Sequence, residues 1–306
     1  MDNTTKPIEL SGEKSYNRLK KITERLEQGV TELFDSRRYK EYLRVMSRFH
    51  NYSFNNTMLI YLQKPDATRL AGYQTWKKFR RHVKKGEKSI KVIAPAPYKK
   101  TVEENGEEKV IVVPHFKVVS AFDVSQTEGK PLPEITTTLT GSVEGCDVFL
   151  SALEQVSPYS ITFEDFDKDA YGFCDYQERH IVVRPGLNEA QTIKTAIHEI
   201  AHAWIHDNHN PVLEDEAPKF DKRTREVQAE SIAFACCEHF GLDSSDYSFG
   251  YIAGWSSGRE LKELHSSLEI IRNTAAEIIG GVEEQLLELR QEHGQEEESP
   301  GLAMSM

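Results

Sequence analysis

Residues 198–202, with the sequence HEIAH, have the residue types and the spacing of a metal site that activates water. On a helix, residues four apart lie on one face, so the imidazoles of His198 and His202 can both reach one ion at about 2.0–2.1 Å. A hydrolytic Zn²⁺ needs a third protein ligand and an open position for a water, whose pKa the metal lowers to about 7. Glu199 lies beside that position. The motif therefore predicts a zinc site with Glu199 as its general base.

The third ligand is expected on a following helix. The pattern HExxHxxGxxH would require glycine and histidine where the chain has Ile205 and Asn208, so that class of zinc peptidase is excluded. Glu226 and Glu230 are four residues apart and share one helix face. Small and apolar residues follow Glu230 and let its helix pack closely against the HExxH helix, so Glu230 is predicted as the ligand. Glu226 is predicted either to orient a ligand histidine or to remain a solvated charge.

Short strands and long helices are expected to position this motif. Strand candidates lie at 160–164, 171–176 and 180–183, and helices are expected at 188–206, 223–240 and 259–293. Asn188 is expected to cap the first of these helices, and Gly241 to end the second. His206 continues the face of the two motif histidines but lies too far along to share the ion, so it is predicted to line the cleft or to face solvent.

The first half of the chain is predicted to be helical and then β-stranded. Helices are expected near 16–30, 39–50 and 55–62, and strands at 89–95 and 110–119, with a polar hairpin loop at 101–109 between the strands. A stretch rich in Gly, Pro, Ser and Thr follows and is typical of a linker.

These elements predict an α+β fold with two domains. The predicted divisions are an N-terminal α+β domain at 1–125, a linker at 126–145, a zincin-like domain with a small antiparallel sheet and the HExxH helix at 146–293, and a disordered tail at 294–306.

The formal net charge of −11 conceals two electrostatically opposite halves. Residues 1–130 contain 26 Lys and Arg against 16 Asp and Glu, whereas residues 131–306 contain 12 against 33. A basic half suggests a polyanionic partner, and an acidic half suggests a different role for the rest of the chain.

Cations in the basic half concentrate around aromatic residues. Residues 64–100 hold twelve Lys or Arg and two acids, with Tyr73, Trp76 and Phe79 among them. Cations that follow phosphates and aromatic faces that stack on bases are typical of a single-stranded nucleic-acid groove. The alternative is a solvated cationic surface with these aromatic rings in the core. The residues predicted to contact single-stranded DNA are Trp76, Arg80, Arg81, Lys84, Lys85 and Lys88.

Composition also indicates the compartment. No run of about 18 apolar residues occurs, and the first residues lack the apolar core of a signal peptide. Of the four cysteines, Cys236 and Cys237 are adjacent, which disulfide frameworks rarely use. We therefore expect a cytoplasmic protein with no membrane partner.

Four segments of the first half resemble the N-terminal domain of the ArdC antirestriction family. They are NYSFNN at 51–56, AGYQTW at 71–76, KKGEK at 84–88 and FDVSQT at 122–127. The second half, with HEIAH and the two helices after it, is similar to the zincin-type metallopeptidase domain of that family and more distantly to the ImmA/IrrE peptidases. In the ImmA/IrrE pattern the last ligand corresponds to Glu230, and the Asn that often follows it is Ser231 here.

This resemblance implies a single-stranded-DNA-binding domain fused to a Zn²⁺ site, in cytoplasmic proteins of plasmids and integrative elements that protect incoming DNA during conjugation. The partners would be single-stranded DNA and either a protein substrate or a host restriction enzyme. Two alternatives remain. One is an ImmA/IrrE-like regulatory peptidase that cleaves a repressor, and the other is a DNA mimic, whose acidic half inhibits a DNA-binding enzyme without catalysis.

Overall fold

The chain divides into two units, the first formed by residues 1–134 and 258–264 and the second by residues 135–257 and 265–306. A computed structural model describes residues 6–10, 14–104, 107–132, 143–207, 220–242, 244–245, 247 and 249–297. Both units combine helices with sheets, which confirms the predicted α+β class with two domains.

Helices build the early part of the first unit, as predicted. They are α1 (Ser15–Glu32), α2 (Ser36–Arg48), α3 (Phe54–Gln63) and the short α4 (Tyr73–Lys78). Asp35 caps α2 by accepting hydrogen bonds from two backbone N–H groups, and Ser53 caps α3 in the same way with one. Tyr42, Leu43 and Met58 are fully buried between these helices and form the centre of the core.

The strands of the first unit make three small sheets. The strands are β1 (Leu70–Ala71), β2 (Arg81–Val83), β3 (Ile90–Pro95), β4 (Tyr98–Glu104), β5 (Glu107–Val113), β6 (Phe116–Asp123) and β7 (Thr127–Gly129). The antiparallel order β1-β6-β3 forms one sheet, and β2 pairs with β7. Strand β7 lies within the segment predicted as linker, and residues 133–142 of that segment lie outside the described residues.

The hairpin loop predicted at 101–109 is wrong. Strands β4 and β5 pair over almost this whole segment, with Tyr98 opposite Val113 and Thr101 opposite Val110. The polar residues that suggested a loop belong to a ribbon whose two faces meet solvent, since Ile111 and Val112, on opposite faces, are both exposed. Such a ribbon does not need apolar residues on every second position.

From residue 143 onward, the described residues form helices and one small sheet, against which α6 packs. The helices are α5 (Val143–Val156), α6 (Glu189–Ile205), α7 (Lys222–Phe240), α8 (Ile252–Ser256) and α9 (Leu261–Glu297), and the strands are β8 (Ser160–Phe163), β9 (Gly172–Asp175) and β10 (His180–Val183). The predicted caps are confirmed: Asn188 accepts a hydrogen bond from the N–H of Gln191 at 2.9 Å, and Gly241 ends α7 with a φ of 73°. Residues 298–306 of the predicted tail lie outside the described residues.

The sheet of the second unit is mixed, not antiparallel as predicted. Its order is β8-β10-β9, with β9 antiparallel and β8 parallel to β10. A tight turn joins β9 to β10 and makes them antiparallel, whereas residues 164–171 carry the chain from β8 past β10 to the far edge of the sheet. Strand β9 is therefore an outer strand.

Helices α6 and α7 pack against each other. Ala196 of α6 and Ala229 and Ala233 of α7 are fully buried. No helix among the residues described is long and apolar enough to cross a membrane.

Candidate metal centre

Two imidazole nitrogens and one carboxylate oxygen converge where α6 meets α7. The Nε2 atoms of His198 and His202 are 3.1 Å apart. The Oε2 atom of Glu226 lies 3.6 Å from the first and 3.8 Å from the second. Within the described part of the chain, these three residues form a group whose ligand atoms all lie within 4.8 Å of one another. Such a set of two nitrogens and an oxygen suits a divalent cation.

The structure departs from the predicted third ligand. Glu230 does not face the paired Nε2 atoms; its Oε2 atom lies 3.4 Å from Nδ1, the other ring nitrogen of His198. A carboxylate at that nitrogen orients the ring for a ligand role. The geometry therefore places the Glu226 carboxylate beside the two Nε2 atoms and the Glu230 carboxylate beside the outer nitrogen of His198. Close packing of the helix after Glu230 was the sequence argument, but packing does not fix which carboxylate points at the histidines.

The electrostatics of the centre favour a positive charge. Burial opposes protonation of His198, but the Glu226 and Glu230 carboxylates outweigh it and raise the pKa of His198 to about 9. The nearby imidazoles of His198 and His202 hold the pKa of Glu226 well below its ordinary value. Carboxylates that retain a proton on an adjacent imidazole also stabilise a bound cation, because both are Coulombic effects.

The predicted general base lies at the bottom of the same cleft. Glu199 is 8 % exposed, and burial raises the pKa of its carboxyl group. The backbone N–H of Cys174, on β9, donates a hydrogen bond to that carboxylate. The backbone of a strand, and not a mobile side chain, therefore positions the Glu199 carboxylate.

Gly172 lets β9 approach the motif helix closely. A Cβ atom at this position would lie 2.7 Å from Cγ2 of Thr195, 2.9 Å from the carbonyl oxygen of Val182 and 3.3 Å from Cγ of Glu199. Only a residue without a side chain fits between the strand and the base.

Gly172→Ala is therefore expected to lower the free energy of unfolding by about 1–3 kcal/mol, since overpacking forces the strand away from α6. Chemical denaturation of the metal-free chain measures this. Gly280→Ala is the matched control, because a Cβ there meets nothing within 4 Å and alanine stabilises a helix interior by about 1 kcal/mol. An unchanged midpoint for Gly172→Ala would contradict the close-approach argument.

Two family models match separate parts of the chain. Residues 14–123 match the N-terminal domain of anti-restriction factor ArdC. Residues 155–237 match the IrrE N-terminal-like domain, of the M78 peptidase family, and contain the HExxH motif, Glu226 and Glu230. This chain is ArdC-like.

One curated relative and two solved structures are similar to this chain. The Bacillus anthracis protein pXO2-81 is 29% identical over 315 residues, which cover 89% of this chain and 52% of that protein. The chain thus spans about half the length of that relative. Crystal structures of the antirestriction ArdC protein from plasmid R388 align in metal-free and Mn(II)-bound forms. Their TM-scores are 0.48 and 0.47, at 22% and 20% identity, and they cover 78% and 77% of this chain and 84% and 85% of those chains.

The metal centre of the ArdC-like chain opens into a cleft of about 900 Å³. Strand β9 lines one side with Gly172, Phe173 and Cys174, and residues of α6, α7 and the segments flanking β9 line the rest. Among the described strands β9 pairs with β10, and on its other side the backbone N–H of Cys174 meets the Glu199 carboxylate.

Trp76 in the ArdC-like first unit is a core residue, which corrects its predicted contact with DNA. Its side chain is 2% exposed, and its Nε1–H donates to the carbonyl oxygen of Phe122 at 2.9 Å. Tyr73 and Phe79, on either side of it in the sequence, are 46% and 52% exposed. The ammonium of Lys77 lies 5.0 Å from the ring centre of Tyr73. Exposed aromatic faces beside cations therefore exist here, but on the neighbours of Trp76.

The five predicted cations have different environments. Arg81 uses its guanidinium inside the unit, donating to Oγ1 of Thr127 at 2.8 Å and to backbone carbonyls that include that of Lys130. Lys84 donates to the carbonyl oxygen of Ser125 at 2.9 Å, and Lys88 pairs with Glu9 at 2.7 Å. The side chains of Arg80 and Lys85 meet no acceptor within the described residues. Arg81 therefore holds β7 in place, and Arg80 and Lys85 are the cations most available to a ligand.

Proposed function

We propose that this ArdC-like chain is an antirestriction protein of a mobile element that binds single-stranded DNA with its first unit and hydrolyses peptide bonds with Zn²⁺ in its second. The observation that carries the enzymatic part is the convergence of His198, His202 and Glu226 beside the buried Glu199. A buried carboxylate beside the ligands supports hydrolysis over a structural ion or a solvated cluster.

The residues divide the chemistry in a simple way. Zn²⁺ at His198, His202 and Glu226 would supply the Lewis acidity that activates water and polarises a carbonyl group. Glu199 accepts the proton that water loses when its oxygen forms the bond to the peptide carbon. The same carboxyl group then gives this proton to the leaving nitrogen as the C–N bond breaks. Its raised pKa suits both transfers.

A peptide is the substrate class that the cleft favours. An extended peptide can add to the outer edge of β9 through main-chain groups other than the Cys174 N–H, as in other cases of strand addition. This edge runs past Cys174, whose N–H holds Glu199, so a bound peptide bond would lie near the base.

For the first unit, Tyr73 and Phe79 support binding of single-stranded DNA. Every base has a face that can stack on an exposed aromatic ring, and the adjacent Lys77, Arg80 and Lys85 can follow the phosphates. Binding of this kind has little sequence preference, which is what protection of arbitrary incoming DNA during conjugation in the recipient cytoplasm requires.

Tyr73→Ala and Phe79→Ala are each expected to weaken single-stranded DNA binding by about 1–3 kcal/mol, with an unchanged melting temperature. Trp76→Ala is expected to destabilise the first unit by about 3–5 kcal/mol because it empties the core. Fluorescence anisotropy with a labelled mixed-sequence oligonucleotide measures binding. The matched control is Tyr98→Ala, which removes a similarly exposed tyrosine on β4 and should leave the affinity for single-stranded DNA unaltered. Full affinity in the Tyr73 and Phe79 variants would refute the stacking surface.

A regulatory peptidase that cleaves a repressor is the second candidate, and the match of residues 155–237 to the IrrE N-terminal-like domain favours it. The basic first half would then target the enzyme to DNA. A third role, inhibition of a restriction enzyme by DNA mimicry, would use the acidic residues of the second half and no catalysis.

A further inference from the structure

The first unit contains a cationic pocket of about 510 Å³ that the proposed functions do not use. Among the residues that line it are Arg18 of α1, Lys88, Ser89, Lys91 of β3 and Ser120 of β6. Strand pairing places Lys91 directly opposite Ser120, and α1 packs against β6 and brings Arg18 to the same place. All of these residues belong to the first unit, and none of them belongs to the metal centre.

The hydroxyl groups around Lys91 leave two hydrogens without an acceptor. The ammonium of Lys91 donates to Oγ of Ser89 at 2.7 Å and to Oγ of Ser120 at 2.8 Å, and the two Oγ atoms lie 3.2 Å apart. An ammonium has three hydrogens, and each hydroxyl group has one. Whichever serine donates to the other, one ammonium hydrogen and one hydroxyl hydrogen have no acceptor among the described residues. Both are available to a ligand.

Arg18 places a second cation in this pocket. Its Nε atom is buried and has no hydrogen-bond partner within the described part of the chain. Burial, and after it the positive charge of Arg18, lower the pKa of Lys91. The two cations therefore repel each other, because a nearby like charge disfavours the protonated form.

The pocket has a surplus of positive charge. Among the described residues that line it, Glu9 is the one acid, and its Oε1 atom lies 2.7 Å from Nζ of Lys88. That pair leaves the charges of Arg18 and Lys91 uncompensated. A phosphate monoester carries about −1.5 to −2 charges at pH 7 and has three strong acceptor oxygens, so it matches both the charge and the donors. A carboxylate has a single charge and would leave one cation uncompensated.

We propose that Arg18, Lys91 and the hydroxyl groups of Ser89 and Ser120 form a phosphate-binding site. A guanidinium can donate two parallel N–H bonds to the oxygens of one phosphate, and the Lys91 cluster supplies its two remaining hydrogens. The same chemistry fits the phosphate at the 5′ end of a DNA strand, a phosphodiester within the strand and the phosphate of a free nucleotide.

Isothermal titration calorimetry with inorganic phosphate tests the site on the full chain. The chain is freed of metal by chelation, so that no phosphate binds at an ion. Arg18→Gln and Lys91→Gln should each raise the Kd for phosphate by about 10–100-fold, because each removes a charge-assisted hydrogen bond. Lys117→Gln is the matched control and should leave this Kd unchanged. It removes the same charge from β6, but residues 117 and 120 lie on opposite faces of that strand.

Thermal melting separates a binding role of Arg18 from a structural one. Arg18→Gln removes a group whose Nε has no partner and relieves the repulsion of Lys91, so the phosphate-free variant should melt at the wild-type temperature or above it. A lower melting temperature would make Arg18 a support of the fold and contradict the proposal. A wild type that does not bind phosphate, or a Kd that neither Arg18→Gln nor Lys91→Gln changes, would overturn it as well.

Oligonucleotides identify the source of the phosphate. Fluorescence anisotropy compares single-stranded DNA with and without a 5′-phosphate, on the wild type and on Arg18→Gln. A preference for the phosphorylated strand that the variant loses indicates a strand end, and an equal loss of affinity for both strands indicates an internal phosphodiester. Unchanged affinity for both strands, beside a raised Kd for inorganic phosphate, indicates a free nucleotide. Tyr73 and Phe79 are intact in Arg18→Gln, so the result for inorganic phosphate does not depend on the proposed stacking surface.

Discussion

Glu226→Gln is expected to weaken Zn²⁺ binding by about 100-fold or more, and Glu230→Gln by about 10–100-fold. The first change removes the charged oxygen that lies 3.6 and 3.8 Å from the two Nε2 atoms. The second removes only a partner of the outer nitrogen of His198, and the loss of such an orienting group typically costs 10–100-fold in metal affinity. Chelator competition gives both Kd values, and elemental analysis gives the metal content per chain.

His202→Ala provides the reference for complete loss, since it deletes a nitrogen ligand and should leave the purified chain nearly free of metal. A larger loss in Glu230→Gln than in Glu226→Gln would favour the assignment predicted from sequence and contradict the geometric one. The comparison is well matched because both glutamates lie on α7, four residues apart, and both changes keep the side-chain volume.

The motif and its helix could be predicted from sequence because they depend on local chemistry. The spacing within HEIAH places both histidines on one face of a helix. Asn188 caps that helix through a local hydrogen bond that does not depend on the rest of the fold. The choice between Glu226 and Glu230 could not be predicted in this way, since residues four apart share a face and only the crossing of α6 and α7 decides which carboxylate meets the histidines.

Aromatic and cationic residues of the first unit illustrate the same limit. Clustering of charge along the chain predicted a basic surface, but Trp76 and Arg81 turned inward while Tyr73 and Phe79 stayed exposed. Those outcomes depend on the pairing of β2 with β7 and on the carbonyl of Phe122, 46 residues from Trp76. Contacts of that sequence separation are set by the assembled fold and not by local pattern.

Glu199→Gln is expected to lower the rate of peptide hydrolysis by about 10²–10⁴-fold, the usual contribution of a general base, and to leave Zn²⁺ bound. The amide cannot take a proton from water, whereas His198, His202 and Glu226 are untouched. It can still accept the hydrogen bond from the N–H of Cys174, so the fold around β9 should persist. The rate is measured with a peptide library read by mass spectrometry, with metal content determined on the same samples.

The same variant separates the proposed functions when DNA protection is measured in conjugation assays with a restricting recipient. If protection disappears along with hydrolysis, the second unit acts by cutting a protein. If protection persists although hydrolysis is lost, the biological effect belongs to DNA binding or to the acidic second half. Tyr73→Ala then distinguishes these two, because it weakens stacking on DNA but leaves the acidic surface intact. If Glu199→Gln hydrolysed peptides at the wild-type rate, Glu199 would have no part in the mechanism, since a glutamine cannot act as the base.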